Sequence, residues 1–396
     1  MRGWLLALVA ACAAPVGATE QAITNGAPDL ADPAVIGLAD ELDQIGCTAA
    51  VIEAHTAITA AHCLAGRDPR TLRALVGSSA TDGAFGAISA GQLDPAFDGA
   101  TLAHDLALVT LRDAQPAVLA MAAVDAALVG ANVRAVGFGS TAADATDGGV
   151  KRAGTEKVTD VQADEIVAMP SPAQACHGDS GGPMILAAGT IGAVASRGDS
   201  LCSDHATYAR IDVARAAFID PYLAATAPGT AMTGDACFYA GHCAGGPCLV
   251  THDDPTLFFC SRTCASDADC PAAMTCASDG CRYPEPSPGA LGAACGSDAE
   301  CAGQLCRQDV CTKSCLGAGA SCPAGFECQG SGLAFDCFAA PAAGCGGCAA
   351  GGGAPAWLAI IALLGCGRAR RSGRSAAPRD SRAGRSSRAR GTPAGS

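Results

Sequence analysis

The 396-residue chain has few aromatic residues, few charged residues, and few basic residues outside its C-terminal tail. Aromatics make up only 4% of the chain and charged residues 16%. The formal net charge is −13, although nine of the 25 Lys and Arg residues lie between Arg368 and Arg390. The remainder of the chain is therefore more acidic than the total suggests. An acidic chain is repelled by a phosphate backbone, which argues against nucleic acid as its main partner.

Cysteine, in contrast, is abundant, with 24 residues. This number predicts an oxidising compartment and structural disulfides. The N-terminal sequence also indicates export to such a compartment, because Arg2 is followed by an apolar run (4–14) and then by the small residues Val16-Gly17-Ala18. We expect residues 1–18 to be a signal peptide that is removed on export. An alternative is a bacterial lipoprotein signal at 9–12, which would leave a lipidated Cys12.

The roughly 200 residues after the signal peptide contain only four of the cysteines. Short apolar runs alternate there with turns rich in Gly, Pro, Asp and Asn. This spacing of strands is typical of an all-β barrel or sandwich. The pattern of 213–224 predicts a helix at the end of this domain.

Sixteen cysteines follow between Cys237 and Cys337, and their spacing repeats. Both sets of eight begin with C-x5-C-x4-C and carry C-x3-C at their fourth and fifth members. We predict two tandem Cys-rich modules, 234–282 and 292–338, joined by a linker at 283–291. Domains this small need covalent links, and each set suits four disulfides whose connectivity the spacing leaves open. No C-x2-C pair occurs in this region, so a zinc ribbon is disfavoured and we expect no metal.

The C-terminal region begins with a Gly/Ala/Cys linker (339–353) and continues with a hydrophobic segment (354–367) and an Arg-rich tail (368–396). About 20 apolar residues span a bilayer, and arginines directly after such a run fit a stop-transfer signal. The pattern resembles the C-terminal sorting tails of myxobacterial surface proteins. It departs from them in its long Arg/Ser/Gly extension, whose composition predicts disorder. A plain membrane anchor is the alternative.

Three short stretches carry residues with catalytic chemistry: Thr59-Ala60-Ala61-His62-Cys63, Asp105-Leu106-Ala107-Leu108-Val109 and Gly178-Asp179-Ser180-Gly181-Gly182-Pro183. Together and in this order they resemble the chymotrypsin/trypsin-like serine peptidase family, over about 23–225. The resemblance implies an all-β domain of two barrels with a short C-terminal helix. It also implies a short propeptide at 19–22 and the activity of a serine endopeptidase.

The resemblance gives each of these residues a role. Ser180 would attack the scissile carbonyl, His62 would take its proton, and Asp105 would orient His62. The backbone N–H groups of Gly178 and Ser180 would hold the oxyanion, and the glycines would let bare backbone approach the substrate. Two disulfides are implied in the same way: Cys47–Cys63 and Cys176–Cys202.

The resemblance further implies activation by cleavage, after which the new α-amino group of Ile23 pairs with Asp179. A buried ammonium–carboxylate pair is stable only when both partners are present, so the pair can act as a switch. Gln21-Ala22 precedes Ile23, without Lys or Arg. Our hypothesis is that a different peptidase removes residues 19–22.

The residue six positions before the nucleophile forms the floor of the specificity pocket in the family, where Asp selects Lys or Arg. Gln174 stands there in this chain. We therefore expect an uncharged P1 side chain, the one that precedes the cleaved bond. If loop lengths shift this register, Asp199 is the nearby carboxylate. The implied pocket walls are Ser196, Gly198 and Ala206. Ser196 is also expected to donate a hydrogen bond to Asp105.

The favoured interpretation is an exported serine endopeptidase, secreted or anchored at the cell surface. We expect it to act on proteins or peptides as a monomer, without a cofactor and without nucleic acid. The alternative is a cell-surface binding or adhesion protein that uses an inactive peptidase scaffold, since fold does not fix function. Autoinhibition by the Cys-rich half is a further possibility.

Overall fold

The structure is a computed structural model that describes residues 23–303, 305–315, 322–331 and 334–340. The predicted signal peptide and propeptide lie outside the described residues, as do the hydrophobic segment and the Arg-rich tail. Within the described ranges, no helix is both long enough and apolar enough to cross a membrane.

Six antiparallel strands close the first barrel, which follows a two-residue strand, β1 (Ala27–Pro28). They are β2 (Val35–Ala39), β3 (Ile45–Glu53), β4 (Thr56–Thr59), β5 (Arg73–Val76), β6 (Ala84–Leu93) and β7 (Ala107–Leu111). The pairing order is β2-β3-β4-β7-β6-β5, and β5 pairs back onto β2. Alternate residues of these strands point inward, so Ala49, Val51, Ala57 and Val109 are completely buried in the barrel core.

The second barrel is built in the same way. Its strands are β8 (Asn132–Gly137), β9 (Arg152–Val161), β10 (Glu165–Pro170), β11 (Pro183–Ile185), β12 (Ile191–Gly198) and β13 (Ala206–Arg210). The order β9-β10-β13-β12-β11-β8 is closed by pairing between β8 and β9, and β1 adds to β9. Val158, Ile166, Met184 and Tyr208 fill its core.

A short helix joins the two barrels. One turn of π-helix (Arg215–Ile219) leads into α1 (Asp220–Ala225), and short 3-10 turns occur at Ala61–Cys63, Pro69–Thr71 and Ala126–Leu128. Phe218 and Ile219 pack in a core shared by Ile58 of the first barrel and Val194 of the second. The predicted all-β architecture of two barrels with a short C-terminal helix is thus confirmed.

The described residues of the Cys-rich region form four two-stranded ladders. Their strands are β14 (Cys248–Val250), β15 (Phe258–Cys260), β16 (Thr275–Ala277), β17 (Gly280–Arg282), β18 (Cys306–Arg307), β19 (Val310–Cys311), β20 (Phe326–Ser331) and β21 (Ala334–Ala339), with 3-10 turns at Asp267–Asp269 and Asp298–Glu300.

Both sets of eight cysteines have the same disulfide connectivity: first to third, second to fourth, fifth to seventh, sixth to eighth. The pairs are Cys237–Cys248, Cys243–Cys260, Cys264–Cys276, Cys270–Cys281, Cys295–Cys306, Cys301–Cys311, Cys315–Cys328 and Cys322–Cys337. The repeat seen in the spacing is therefore also a repeat in the covalent structure.

The first Cys-rich set packs against the first barrel and the end of α1. The rings of His55 and Tyr239 stack with centroids 3.7 Å apart, and the Tyr239 hydroxyl donates to Thr226 O at 2.6 Å. The Arg112 guanidinium lies 3.3 Å from the centroid of the Phe258 ring. These contacts make the first set a packed neighbour of the two-barrel domain rather than a flexible appendage.

Candidate active site

Strand pairing brings His62 and Asp105 together. His62 lies in the turn that directly follows β4, and Asp105 lies shortly before β7. Because β4 and β7 are antiparallel neighbours, with Thr59 opposite Ala107, the end of one adjoins the start of the other. His62 Nδ1 lies 2.7 Å from Asp105 Oδ2, and the His62 backbone N–H donates to Asp105 Oδ1 at 2.9 Å. This geometry fixes the orientation of the imidazole.

Asp105 is completely buried, whereas 28% of the His62 side chain is exposed. Burial alone would raise the pKa of Asp105, but hydrogen bonds from His62 and from Ser196 Oγ (2.6 Å) hold it below its usual value. An ionised Asp105 can only accept, so it requires the proton of His62 on Nδ1. The Nε2 atom is then left as a base.

The loop that carries Ser180 is held by main-chain hydrogen bonds to both barrels. Thr48 N–H donates to Ser180 O at 2.8 Å, and Gly181 N–H donates to Ala195 O at 2.7 Å. Gly181 has a φ of +82°, and a Cβ there would lie 2.1 Å from Thr59 Oγ1. Only glycine fits at this position.

The same loop lies beside the disulfide next to His62. Cys63 Sγ lies 3.8 Å from Ser180 O, and Cys47–Cys63 and Cys176–Cys202 are both bonded. In the part of the chain that the structure describes, the Ser180 hydroxyl makes no hydrogen bond to His62. Such a bond often forms only in the substrate complex.

The backbone N–H groups of Gly178 and Ser180 in this loop have no hydrogen-bond partner among the described residues. Gly178 has a φ of +95°, and a Cβ there would lie 2.9 Å from Gly139 Cα. Its left-handed conformation and close approach to the neighbouring backbone both require glycine. These are the two donors that the sequence predicts for an oxyanion.

Asp179 and Ile23 are both buried, but the structure does not join them. The Asp179 carboxylate accepts N–H bonds from Gly139 (2.7 Å) and Cys176 (2.8 Å), and burial raises its pKa to about 7. The Ile23 side chain is completely buried beside Ala135 and has a φ of +44°, which is strained for a β-branched residue. In the intact chain the nitrogen of residue 23 belongs to a peptide bond and carries no charge.

A pocket of about 220 Å³ opens beside Ser180. Its lining includes Ala175, Ser196, Gly198, Asp199 and Ala206. Gln174, predicted at the floor, lies behind this lining and is completely buried. Its Nε2 donates to Asp199 Oδ1 and to His205 O, both at 2.9 Å, while its Oε1 has no partner among the described residues.

The Asp199 carboxylate forms hydrogen bonds mainly within its own loop. Its carboxylate accepts backbone N–H groups from Leu201, Ser203, Asp204 and His205 in addition to the Gln174 amide. Burial acts to raise the pKa of Asp199, but these hydrogen bonds hold it well below its ordinary value. The carboxylate is therefore charged, with both oxygens already occupied by donors.

A buried acid behind the pocket, Glu156 on β9, is not among the site residues predicted from the sequence. Its Oε1 accepts Ala175 N–H at 2.6 Å and its Oε2 accepts the Tyr208 hydroxyl at 2.8 Å. Glu156 is two residues from Val158, which is buried on the same face of the strand. An acidic residue in phase with inward apolar residues was the available signal.

Comparison with known proteins places this region in one family. The model of the trypsin family matches residues 24–217, and no curated protein matches the sequence. Human heparin binding protein is a similar solved structure, with 18% identity over 48% of this chain and 93% of that chain, at a TM-score of 0.44. A mutant of human heparin binding protein has 20% identity over 51% and 96%, at a TM-score of 0.46. Residues 24–217 therefore form a domain of the trypsin family of serine peptidases.

Proposed function

We propose that the chain is an active serine endopeptidase with Ser180 as nucleophile, His62 as base and Asp105 as the residue that orients His62. The observation that carries this proposal is the buried Asp105 carboxylate hydrogen-bonded to His62 Nδ1 at 2.7 Å. This hydrogen bond leaves Nε2 of His62 free to accept a proton. The amides of Gly178 and Ser180 in the adjacent nucleophile loop, which have no partner among the described residues, support the same function.

The reaction has two steps. His62 Nε2 takes the proton of Ser180 Oγ as that oxygen attacks the peptide carbonyl, and the protonated His62 then gives the proton to the leaving amine. Water repeats the attack on the acyl-enzyme with the same base. Asp105 stabilises the imidazolium in both steps because its charge lies 2.7 Å from Nδ1.

The amides of Gly178 and Ser180 stabilise the negative charge that develops on the carbonyl oxygen. Each such donor contributes roughly 3–4 kcal/mol to transition-state stabilisation. The donors are available without reorganisation, because the Ser180 carbonyl is fixed by Thr48 and the Gly178 carbonyl accepts the Thr48 hydroxyl at 2.9 Å.

Activation occurs by cleavage before Ile23. The strained φ of Ile23 is defined across the bond that would be cut, so cleavage relieves this strain. Among the described residues, Asp179 forms no salt bridge, and its charge is opposed by burial. A new ammonium at Ile23 would supply the missing partner.

The pocket favours an uncharged P1 side chain. Gln174 carries no charge, and the oxygens of Asp199 are occupied by backbone N–H groups. A cationic side chain would lose its water without gaining a carboxylate free to bind it. Ala206 contributes an uncharged apolar side chain to the pocket lining.

The ten described disulfides, together with the family, support an exported protein. We propose that it acts on proteins or peptides as a monomer, either secreted or held at the envelope by the segment after residue 353. We also propose the domain limits given by the sequence, with the peptidase domain at 23–225 and the Cys-rich modules at 234–282 and 292–338.

The test is the cleavage of an unstructured protein substrate by the purified chain that begins at Ile23. We expect turnover in the wild type, and losses of at least 10³-fold in Ser180→Ala and His62→Ala. Ser200→Ala and His104→Ala are the matched controls and should keep full activity. A correctly folded and processed wild type without turnover would contradict the proposal and favour an inactive scaffold.

A further inference from the structure

We propose that Glu156 is a positioning residue, which holds the wall of the substrate pocket in its productive position through the Ala175 amide. This inference rests on the proposed peptidase function, since the pocket concerned is the one beside Ser180. Glu156 itself does not touch the substrate site; it acts from behind the wall.

The contacts of the Glu156 carboxylate connect the barrel to the pocket wall. Glu156 lies on β9 and Tyr208 on β13, and both side chains are almost completely buried. One carboxylate oxygen accepts the Tyr208 hydroxyl, which fixes the carboxylate to the barrel. The other oxygen accepts Ala175 N–H at 2.6 Å. Glu156 therefore links the strands β9 and β13 to the irregular segment that contains Ala175.

That irregular segment runs between β10 and β11, and Gln174 forms an isolated β-bridge with Thr24 in it. The amides of Ala173 and Gln174 are satisfied by main-chain oxygens of Thr155 and Thr24. The next amide, that of Ala175, is satisfied by the Glu156 side chain instead. Without this carboxylate the Ala175 amide would be a buried donor with no partner.

The wall and the nucleophile loop are consecutive in the chain. Ala175 lines the pocket that also contains Ser180. The following amide, Cys176 N–H, donates to the buried Asp179 carboxylate at 2.8 Å. A displacement of Ala175 would therefore change the shape of the pocket directly. It would change the position of Ser180 only indirectly, through Cys176 and its hydrogen bond to Asp179.

Stability alone does not call for an acid at this position. The neighbouring inward residues Val158 and Ile166 are apolar and completely or almost completely buried. Burial raises the pKa of Glu156 to about 7, and the nearby charge of Asp179 adds to this rise. A buried acid is costly compared with a packed apolar side chain, so its contact with the pocket wall gives a functional reason for its presence.

The test compares Glu156→Gln, Glu156→Asp and Glu156→Leu in the full chain cut before Ile23. Two rates are measured: hydrolysis of a peptide with an uncharged P1 residue, and labelling of Ser180 by a small fluorophosphonate that does not fill the pocket. Gln keeps an acceptor at the same reach, so E156Q should stay within about threefold of wild type in kcat/KM. Asp is one methylene shorter and cannot reach both Ala175 and Tyr208.

We expect E156D and E156L to lose roughly 10- to 100-fold in kcat/KM, mainly through KM, with labelling changed by less than about fivefold. The proposal is wrong if E156L keeps the wild-type KM, or if E156D outperforms E156Q, since charge would then matter rather than reach. If E156L does not fold, the proposal is tested by whether kcat/KM is higher for E156Q than for E156D. A wild type that neither cleaves nor labels would instead refute the peptidase function.

Discussion

The intact chain should lose stability as the pH rises, because the Asp179 carboxylate is buried and forms no salt bridge with any residue that the structure describes. Burial raises the pKa of this group from 3.8 to about 7. The folded state therefore binds a proton more tightly than the unfolded state. The stability linked to this proton is fully present below about pH 4 and is lost progressively as the pH rises through about 7.

The size of the effect follows from the shift. Each pKa unit corresponds to about 1.4 kcal/mol, so the rise at Asp179 is on the order of 4 kcal/mol between pH 4 and pH 8. Glu156, whose pKa burial raises from 4.5 to about 7, changes stability in the same direction by on the order of 3 kcal/mol. The intact chain should thus be markedly less stable at pH 8 than at pH 4.5.

Cleavage before Ile23 should remove the loss of stability at high pH that is due to Asp179. The new ammonium favours the ionised carboxylate and lowers its pKa towards the ordinary range. At pH 8 the cut form should therefore be more stable than the intact form by a few kcal/mol, whereas the two should be similar at pH 4.5.

Urea unfolding of both forms in a Ser180→Ala background, which prevents self-digestion, measures this difference directly. Glu156→Gln in the same background removes the second group and isolates Asp179. If the intact form is equally stable at the two pH values, the buried Asp179 carboxylate does not control its stability. The same conclusion follows if the difference in stability between the two forms does not depend on pH.

Three further predictions concern catalysis, specificity and the Cys-rich region. Asp105→Asn should lower kcat by about 10⁴-fold without unfolding the domain, because the amide favours the wrong tautomer of His62; a loss below tenfold in peptide hydrolysis would contradict this role. Benzamidine at millimolar concentration should leave hydrolysis unchanged, since the oxygens of Asp199 are occupied; competitive inhibition in the micromolar range would show a free acidic floor. Truncation after residue 228 should lower the Tm by several degrees, because it removes the Tyr239 and Phe258 contacts to the first barrel; an unchanged melting curve would make the first Cys-rich set an independent appendage.

The sequence allowed the two-barrel fold and the main residues of the site to be predicted because they depend on local motifs in a fixed order. The strand that ends at Thr59 and the one that begins at Ala107 are neighbours in the barrel. Once the motifs identify this fold, His62 and Asp105 are expected to meet. The repeated cysteine spacing likewise indicated two sets of four disulfides, although it could not distinguish their connectivity.

Long-range side-chain contacts could not be predicted in the same way. Gln174 lies behind the pocket because the loop around Asp199 folds over it, and this depends on six donors converging on one carboxylate. The role proposed for Glu156 depends on its contacts with Ala175 and Tyr208, which lie in other parts of the sequence. The stacking of His55 on Tyr239 joins residues far apart in the sequence and leaves no periodic pattern.

The proposed function requires Ser180 to be a nucleophile that His62 activates. The most direct measurement is mass spectrometry of the purified chain after fluorophosphonate treatment, which locates the adduct on a proteolytic fragment. We expect one adduct per chain, on Ser180, in protein that begins at Ile23, and no adduct in His62→Ala. A correctly folded, cut protein with no adduct, or with an adduct on another serine, would contradict it.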